Sequence, residues 1–408
     1  MNKFILALLF GLICPALYSN TSYFIDDEAS ISQQKLSSNQ VLLFYKITED
    51  NTFLEMTLLR KTQQEWYKIS LPTDFSTSIL SFYEQLQDFA LVQKSKRTQF
   101  IQTSYQFYQM LLQPFEKHLQ NGEQLIVIGQ GILQYLPFEV LLSSEDNRPF
   151  ETLDFLVKNH SISYFFQPAN FIQAAANSPS IFKTKMLGFA PIFSNSNDLN
   201  DDFSAHNSRN SNPSPSNFFD NIPPLPYSEQ EVKNIPKILP IASDLLLNQA
   251  AQKSTLQQKL QQNFQYIHLA THSFADFDDK NNTGILCAGG PNECDPTYEI
   301  LYTKDIEKLR INTDLVVLSS CQSGVGQLDS EGVHGIHRSF YKAGAQNVVF
   351  SLWKVNDRIC QRFMSVFYSE IANGKPYSTA LRIAKLDLLN DPNTASPNVW
   401  AAFLMIGK

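Results

Sequence analysis

Two textures of apolar residues follow one another along the chain. Between residues 40 and 70 the runs Val41–Tyr45, Phe53–Leu59 and Trp66–Ile69 are short and separated by polar residues, Thr48–Asn51 among them. Such runs predict antiparallel strands. Next, Ile79, Phe82, Tyr83, Leu86 and Phe89 recur at spacings of three and four. Tyr105, Tyr108, Met110, Leu111, Leu112 and Phe115 do the same after the basic segment Lys94–Arg97. Both stretches are expected to be helices with a core-facing stripe. From residue 124 onward, Leu125–Gly129, Met186–Phe189, Tyr266–Ala270, Leu315–Leu318 and Val348–Phe350 are apolar throughout and alternate with helical patterns. Strands buried on both faces have that composition, so the expected fold is α/β, a mostly parallel sheet covered by helices on both faces.

Residues 195–217 break the pattern, being dense in Asn, Ser, Asp and Pro and poor in anything a core could use. They are expected to form a long loop, either a tolerated insertion or a site of activating cleavage. The N-terminus also stands apart. Met1–Lys3 carries one positive charge and precedes the apolar run Phe4–Ile13, which is too short to span a bilayer and leads into Pro15, Ala16 and Ser19. Residues 1–19 read as a secretory signal and 20–37 as a lead segment, which predicts a secreted or periplasmic protein with no stable membrane span after cleavage. Lipid attachment at Cys14 is disfavoured because Gly11-Leu12-Ile13 lacks the small residue expected just before it.

At 408 residues and 43% apolar composition, the chain can bury a large core. Its net charge of -7 is dispersed, with no basic stripe of the kind nucleic acid requires. Export would permit disulfides, and Cys287 and Cys294 bracket a loop that one could close. A zinc pair is the weaker reading at that spacing. Cys360 reads as a core or helix-face residue. His334 and His337 make a poor metal pair, and no cofactor or metal is expected.

The candidate chemistry lies where two buried strands end. Tyr266–Ala270 runs on into Thr271-His272-Ser273, and Leu315–Leu318 runs on into Ser319-Ser320-Cys321-Gln322-Ser323-Gly324. Ends of parallel strands share one sheet edge, where open α/β sheets carry their sites. A thiol needs a neighbouring imidazole to hold the thiolate at neutral pH, and that imidazole can then protonate a leaving amine. His272 and Cys321 are therefore the candidate catalytic pair. The backbone N–H groups of Ser273 and Cys321 are the candidate oxyanion donors.

A series of short motifs then points to a family. Gly131–Glu139 contains Tyr-Leu-Pro-Phe-Glu, and Leu225-Pro226 is followed by Glu229 and Glu231-Val232. His268–His272, Leu318–Gly324, Glu331–Val333, Phe340, Ala343-Gly344-Ala345, Ser351-Leu352-Trp353 with Val355 and Asp357, and Trp400–Phe403 complete the series. In this order they resemble the CHAT domain, a caspase-like peptidase module of the clan of caspases, separase and gingipains. The resemblance covers residues 38–408. It implies a caspase-like fold with an N-terminal pseudo-caspase-like subdomain at 38–194, the loop at 195–217 and a catalytic subdomain at 218–408. It also implies cysteine endopeptidase activity through His272 and Cys321. Ser273 departs from the family's usual glycine, Ser320 from a frequent Ala, and Ser323 from a common Thr. Members often carry tetratricopeptide repeats, but residues 20–120 show no such period.

Glu331, Trp353 and Asp357 are candidates for the substrate pocket. An acidic pocket would favour cleavage after Lys or Arg. Asp357 alternatively reads as the N-cap of the helix that follows. The expected partners are a protein or peptide substrate and, for an inactive or partner-gated interaction module, an activating protein. A thiol acyl transferase is a further class. Nucleic acid is not expected.

Overall fold

The computed structural model describes residues 27–176, 185–191, 222, 224–289, 298–320, 322–329 and 332–408. The chain opens with a short helix, α1 (Asp27–Lys35), and an antiparallel meander of β1 (Gln40–Ile47), β2 (Phe53–Arg60) and β3 (Gln63–Ser70). Helices α2 (Phe75–Gln87) and α3 (Lys94–Leu111) follow, then β4 (Gln124–Gly129), β5 (Ser161–Tyr164), α4 (Pro168–Ala176) and β6 (Lys185–Ala190). After α5 (Ser228–Ile238) come β7 (Ala242–Leu247), α6 (Lys253–Leu260) and β8 (Tyr266–Ala270). A small antiparallel sheet of β9 (Ser273–Phe274), β10 (Gly284–Ala288) and β11 (Tyr298–Tyr302) stands apart. It leads through α7 (Thr303–Ile306) to β12 (Thr313–Ser319), the hairpin β13 (Gln327–Asp329) and β14 (Gly332–His334), α8 (Ile336–Ala343) and β15 (Ala345–Ser351). The last elements are α9 (Asp357–Ala372), α10 (Tyr377–Leu389), α11 (Pro397–Trp400) and β16 (Phe403–Ile406).

Eleven of these strands make one sheet in the order β3-β2-β1-β4-β5-β16-β15-β12-β8-β6-β7. The expected α/β architecture is therefore present, and all five apolar runs after residue 124 are strands of this sheet. Two parallel blocks compose it. One contains β1, β4, β5 and β16, and the other contains β15, β12, β8, β6 and β7. They meet antiparallel at β15 and β16, where Val348 faces Ile406 and Ser351 faces Phe403. Strand ends within the second block thus share an edge, while strands of the first block point the opposite way.

The elements form where side-chain periodicity lets them bury apolar surface. Helix α2 buries Phe75, Ile79, Phe82 and Leu86, spaced at four, three and four, which keeps them on one face. Each fully buried side chain of this size stabilises the fold by about 1.5–3 kcal/mol relative to exposure. Strands β4, β8, β12 and β16 are almost wholly buried, whereas edge strand β3 is only half-buried along most of its length. One continuous core spans both blocks, from Val41 on β1 to Ile406 on β16. Glu139 and Lys385, each 1% exposed, form an ion pair within it, and the Tyr164 hydroxyl also donates to Glu139. Among the described residues no helix is long and apolar enough to cross a membrane.

Candidate active site

His272 and Ser320 leave neighbouring parallel strands at the same edge, because β8 and β12 pair with Ala270 opposite Ser319. Cys321, the residue after Ser320, and Glu331 lie outside the described residues, as does Cys294. His272 is 7% exposed and Ser320 equally so. Both line a narrow cleft of about 20 Å³ together with Thr271, Ser351, Asp357 and Cys360.

Backbone hydrogen bonds fix the imidazole's position. The Leu286 N–H donates to the His272 carbonyl at 2.9 Å, and the Thr271 hydroxyl donates to the Leu286 carbonyl at 2.6 Å. The chain at His272 is thus tied to β10, and Ser273 pairs with Ile285 in the next step of the ladder.

On the second strand the Ser320 carbonyl accepts the Ser351 hydroxyl at 2.6 Å and the Ser323 hydroxyl at 3.3 Å. The Ser323 Oγ accepts the Ser351 N–H at 3.0 Å, and the Gly324 N–H donates to the Ser351 carbonyl at 2.8 Å. This clamp pins the turn after β12 to the end of β15. Within the turn Gln322 takes φ +58, a left-handed conformation that is uncommon for a non-glycine residue. The Ser320 Oγ is buried with no hydrogen-bond partner among the described residues. Gly324 has no room for a side chain, since an added Cβ would lie 2.2 Å from Phe350 Cδ2 and 3.1 Å from the Ser351 carbonyl oxygen. Gly324→Ala is therefore expected to cost about 1–3 kcal/mol, read as a lower urea midpoint, because overpacking forces the ring or the turn to shift. An unchanged midpoint would show that the turn yields freely.

Asp357 enters the cleft from α9. It is not the helix cap: Asn356 is, accepting the N–H groups of Arg358 at 2.9 Å and Ile359 at 3.3 Å. The cap therefore falls one residue earlier than the sequence suggested, which leaves the Asp357 carboxylate to accept the Tyr227 N–H at 2.7 Å. Burial, and secondarily the negative charge of Glu231, push its pKa up to about 6. Glu231 in turn takes part in a buried relay. It accepts from His268 Nε2 at 2.7 Å, while His268 Nδ1 lies 3.1 Å from the Tyr368 hydroxyl. The imidazole thus bridges the Glu231 carboxylate and the Tyr368 hydroxyl. Sequence reading noted Glu231 and His268 as separate motif positions and missed their contact across 37 residues.

The other candidates have structural roles. Trp353 is 2% exposed, packs edge-on against Tyr83 and donates its indole N–H to the Asn398 carbonyl at 2.8 Å. It is a core residue. Cys287 is a free thiol, fully buried on β10, with its pKa pushed up to about 12 by burial. Cys360 lies on the first turn of α9, half-buried, where it packs against the core as expected and also lines the cleft. His337 stacks on Phe350 with ring centroids 4.3 Å apart, and burial holds its pKa down to about 3. His334 Nε2 lies 2.7 Å from Asp329 Oδ2, and burial lowers its pKa against the pull of that carboxylate.

Residues 102–408, three quarters of the chain, match the CHAT domain. The chain belongs to the CHAT domain family. Among curated relatives, tetratricopeptide repeat protein 28 of Mus musculus and that of Homo sapiens are each 36% identical over 118 residues, 29% of this chain. The chain spans only about 5% of their length. Among solved structures, separase in the Saccharomyces cerevisiae separase–securin complex aligns over 93% of this chain and 31% of its own, at 13% identity and a TM-score of 0.51. The Arg-specific cysteine proteinase gingipain R aligns over 82% of this chain and 74% of its own, at 10% identity and a TM-score of 0.45. The CHAT domain here thus has a caspase-like fold, an eleven-stranded mixed sheet flanked by helices.

Proposed function

We propose that this CHAT domain is a cysteine endopeptidase in which Cys321 is the nucleophile and His272 the base. The observation that carries the reading is the register of β8 and β12, which brings the chain to one edge at His272 and at Ser320, next to Cys321. In the proposed reaction, Cys321 loses its proton to His272 and the thiolate attacks the scissile carbonyl. The N–H groups of Ser273 and Cys321 receive the negative charge that develops on oxygen. His272 then gives the proton to the leaving amine, and water attacks the thioester to release the acid and regenerate the thiol. On the same proposal residues 1–19 are a secretory signal, and the peptidase acts outside the cytoplasm, secreted or periplasmic.

Asp357 is the proposed determinant of what precedes the cut bond. A carboxylate in the cleft with His272 suits a Lys or Arg side chain. With its pKa near 6, Asp357 is mostly ionised above that pH and mostly neutral below it. The preference for basic residues is expected to strengthen as pH rises through about 6 and to vanish, by on the order of 10²-fold in kcat/KM, in Asp357→Asn. Comparing paired peptides that differ only in Lys against norleucine at that position, across pH 5 to 8, measures it. An unaltered preference in the variant would remove Asp357 from this role.

A partner-gated form of the same enzyme has an observation of its own in its favour. The cleft is narrow, Leu225 lines it, and the Tyr227 N–H already occupies Asp357. Incubating the protein and its Cys321→Ala variant with a diverse peptide library, read by mass spectrometry, tests both readings. Cleavage lost in the variant supports the peptidase. Absence of cleavage by either form leaves only the gated module.

A further inference from the structure

We propose that the groove between α7 and α8 is a binding site for a compact polyanion of the polyphosphate class. Its volume is about 390 Å³, and its lining brings together Lys280, Lys304, Lys308, Arg338 and Lys342, with Glu307 the one carboxylate among the described lining residues. These cations come from three places: the turn Lys280–Asn282, the α7 segment with the residues just after it, and one face of α8, where Arg338 and Lys342 are four apart. In a chain whose net charge is -7, such convergence has to be built by the fold.

Three of the lysines are open to solvent. Lys280, Lys308 and Lys342 keep 46%, 73% and 41% of their side chains exposed. The carboxylates that reach them do so at long range: Asp329 to Lys280 and Asp305 to Lys308 at 3.7 Å, and Glu307 to Lys342 at 3.6 Å. Exposed pairs of that geometry hold their partners weakly. Arg338 is different, being 6% exposed with its guanidinium 5.0 Å from the Phe166 ring centroid. It forms part of the groove's inner wall, and the exposed lysines carry the proposed contact.

The ligand class follows from that arrangement. Lysine ammonium groups are point charges without the planar fork that selects a single carboxylate. Several of them around a groove of small-molecule size match a ligand with many dispersed oxygens, as linked phosphates have. The groove is separate from the proposed catalytic pair, and the test below does not use peptidase activity.

Isothermal titration calorimetry of the full chain with inorganic tripolyphosphate decides the matter. The expected result is saturable one-to-one binding that weakens with added salt, and falls about tenfold or more in Lys304→Gln/Lys342→Gln. Lys233→Gln/Lys237→Gln, which removes the same charge from α5, should bind as the parent does. Circular dichroism establishes that each variant is folded. Should the double variant fail to fold, Lys308→Gln, at the most exposed position, takes its place with a smaller loss expected. No binding by the parent, equal losses in both double variants, or sulfate competing equally at matched ionic strength would each overturn the site.

Discussion

With His272 replaced by alanine, cleavage of any peptide cut by the parent protein is expected to fall by about 10³-fold or more, with little change in the thermal midpoint. Loss of activity alone would not separate chemistry from structure, so the thiol itself should be followed. A cysteine with an ordinary pKa is only a few per cent thiolate at neutral pH, and an imidazolium partner raises that fraction. Alkylation of Cys321 by iodoacetamide, followed by peptide mapping, should therefore slow and lose its low-pH limb in His272→Ala. Cys287 will not interfere, since burial keeps its thiol protonated. Cys360 lines the same cleft and should be changed to serine in the background. An alkylation profile of Cys321 that ignores the loss of His272 would end the case for the pair.

Lys385→Met is expected to destabilise the fold by about 3–5 kcal/mol, measured by urea unfolding, since it strands the buried Glu139 carboxylate. The ion pair joins the turn at Phe138–Val140 to α10, and Tyr164 on β5 bonds the same carboxylate. Burial lowers the Lys385 pKa, with Glu139 opposing that shift. Removing both charges is a different experiment. Glu139→Leu in the Lys385→Met background should recover most of the loss, because apolar replacements of a whole buried pair are often neutral or better. If the double variant is as weak as the single one, packing rather than charge governs the position.

Much of this was legible in the sequence, for physical reasons. A strand buried on both faces has to be apolar at every position, so β4, β6, β8, β12 and β15 announce themselves as runs. Residues just past two such runs can be placed on an edge without coordinates, which is why His272 could be paired with the end of β12. What stayed hidden depends on tertiary contact. Asn356 and Asp357 are both good caps, and only the Tyr227 N–H across 130 residues decides which of the two side chains turns inward. The relay of Glu231, His268 and Tyr368 has no periodicity to reveal it. The lysines of the α7–α8 groove lie at 280, 304, 308 and 342, too scattered along the chain to form a charge block, and gather only when α7, α8 and the turn at Lys280 pack together. Strand β16 was invisible as a strand of the first block because its four residues offer too short a run to distinguish from a loop flank.

That last strand has a consequence for synthesis. Strand β16 lies between β5 and β15 in the middle of the sheet, yet it is made after every other strand. While the chain is emerging from the ribosome, both blocks can collapse but neither can close against the other. Each then exposes an unpaired inner edge, which is a surface prone to intermolecular pairing. Docking of Phe403–Ile406 removes both edges in one step. Acquisition of the native sheet should therefore be abrupt, and the nascent chain should depend on chaperones until Phe403–Ile406 has been made and has docked.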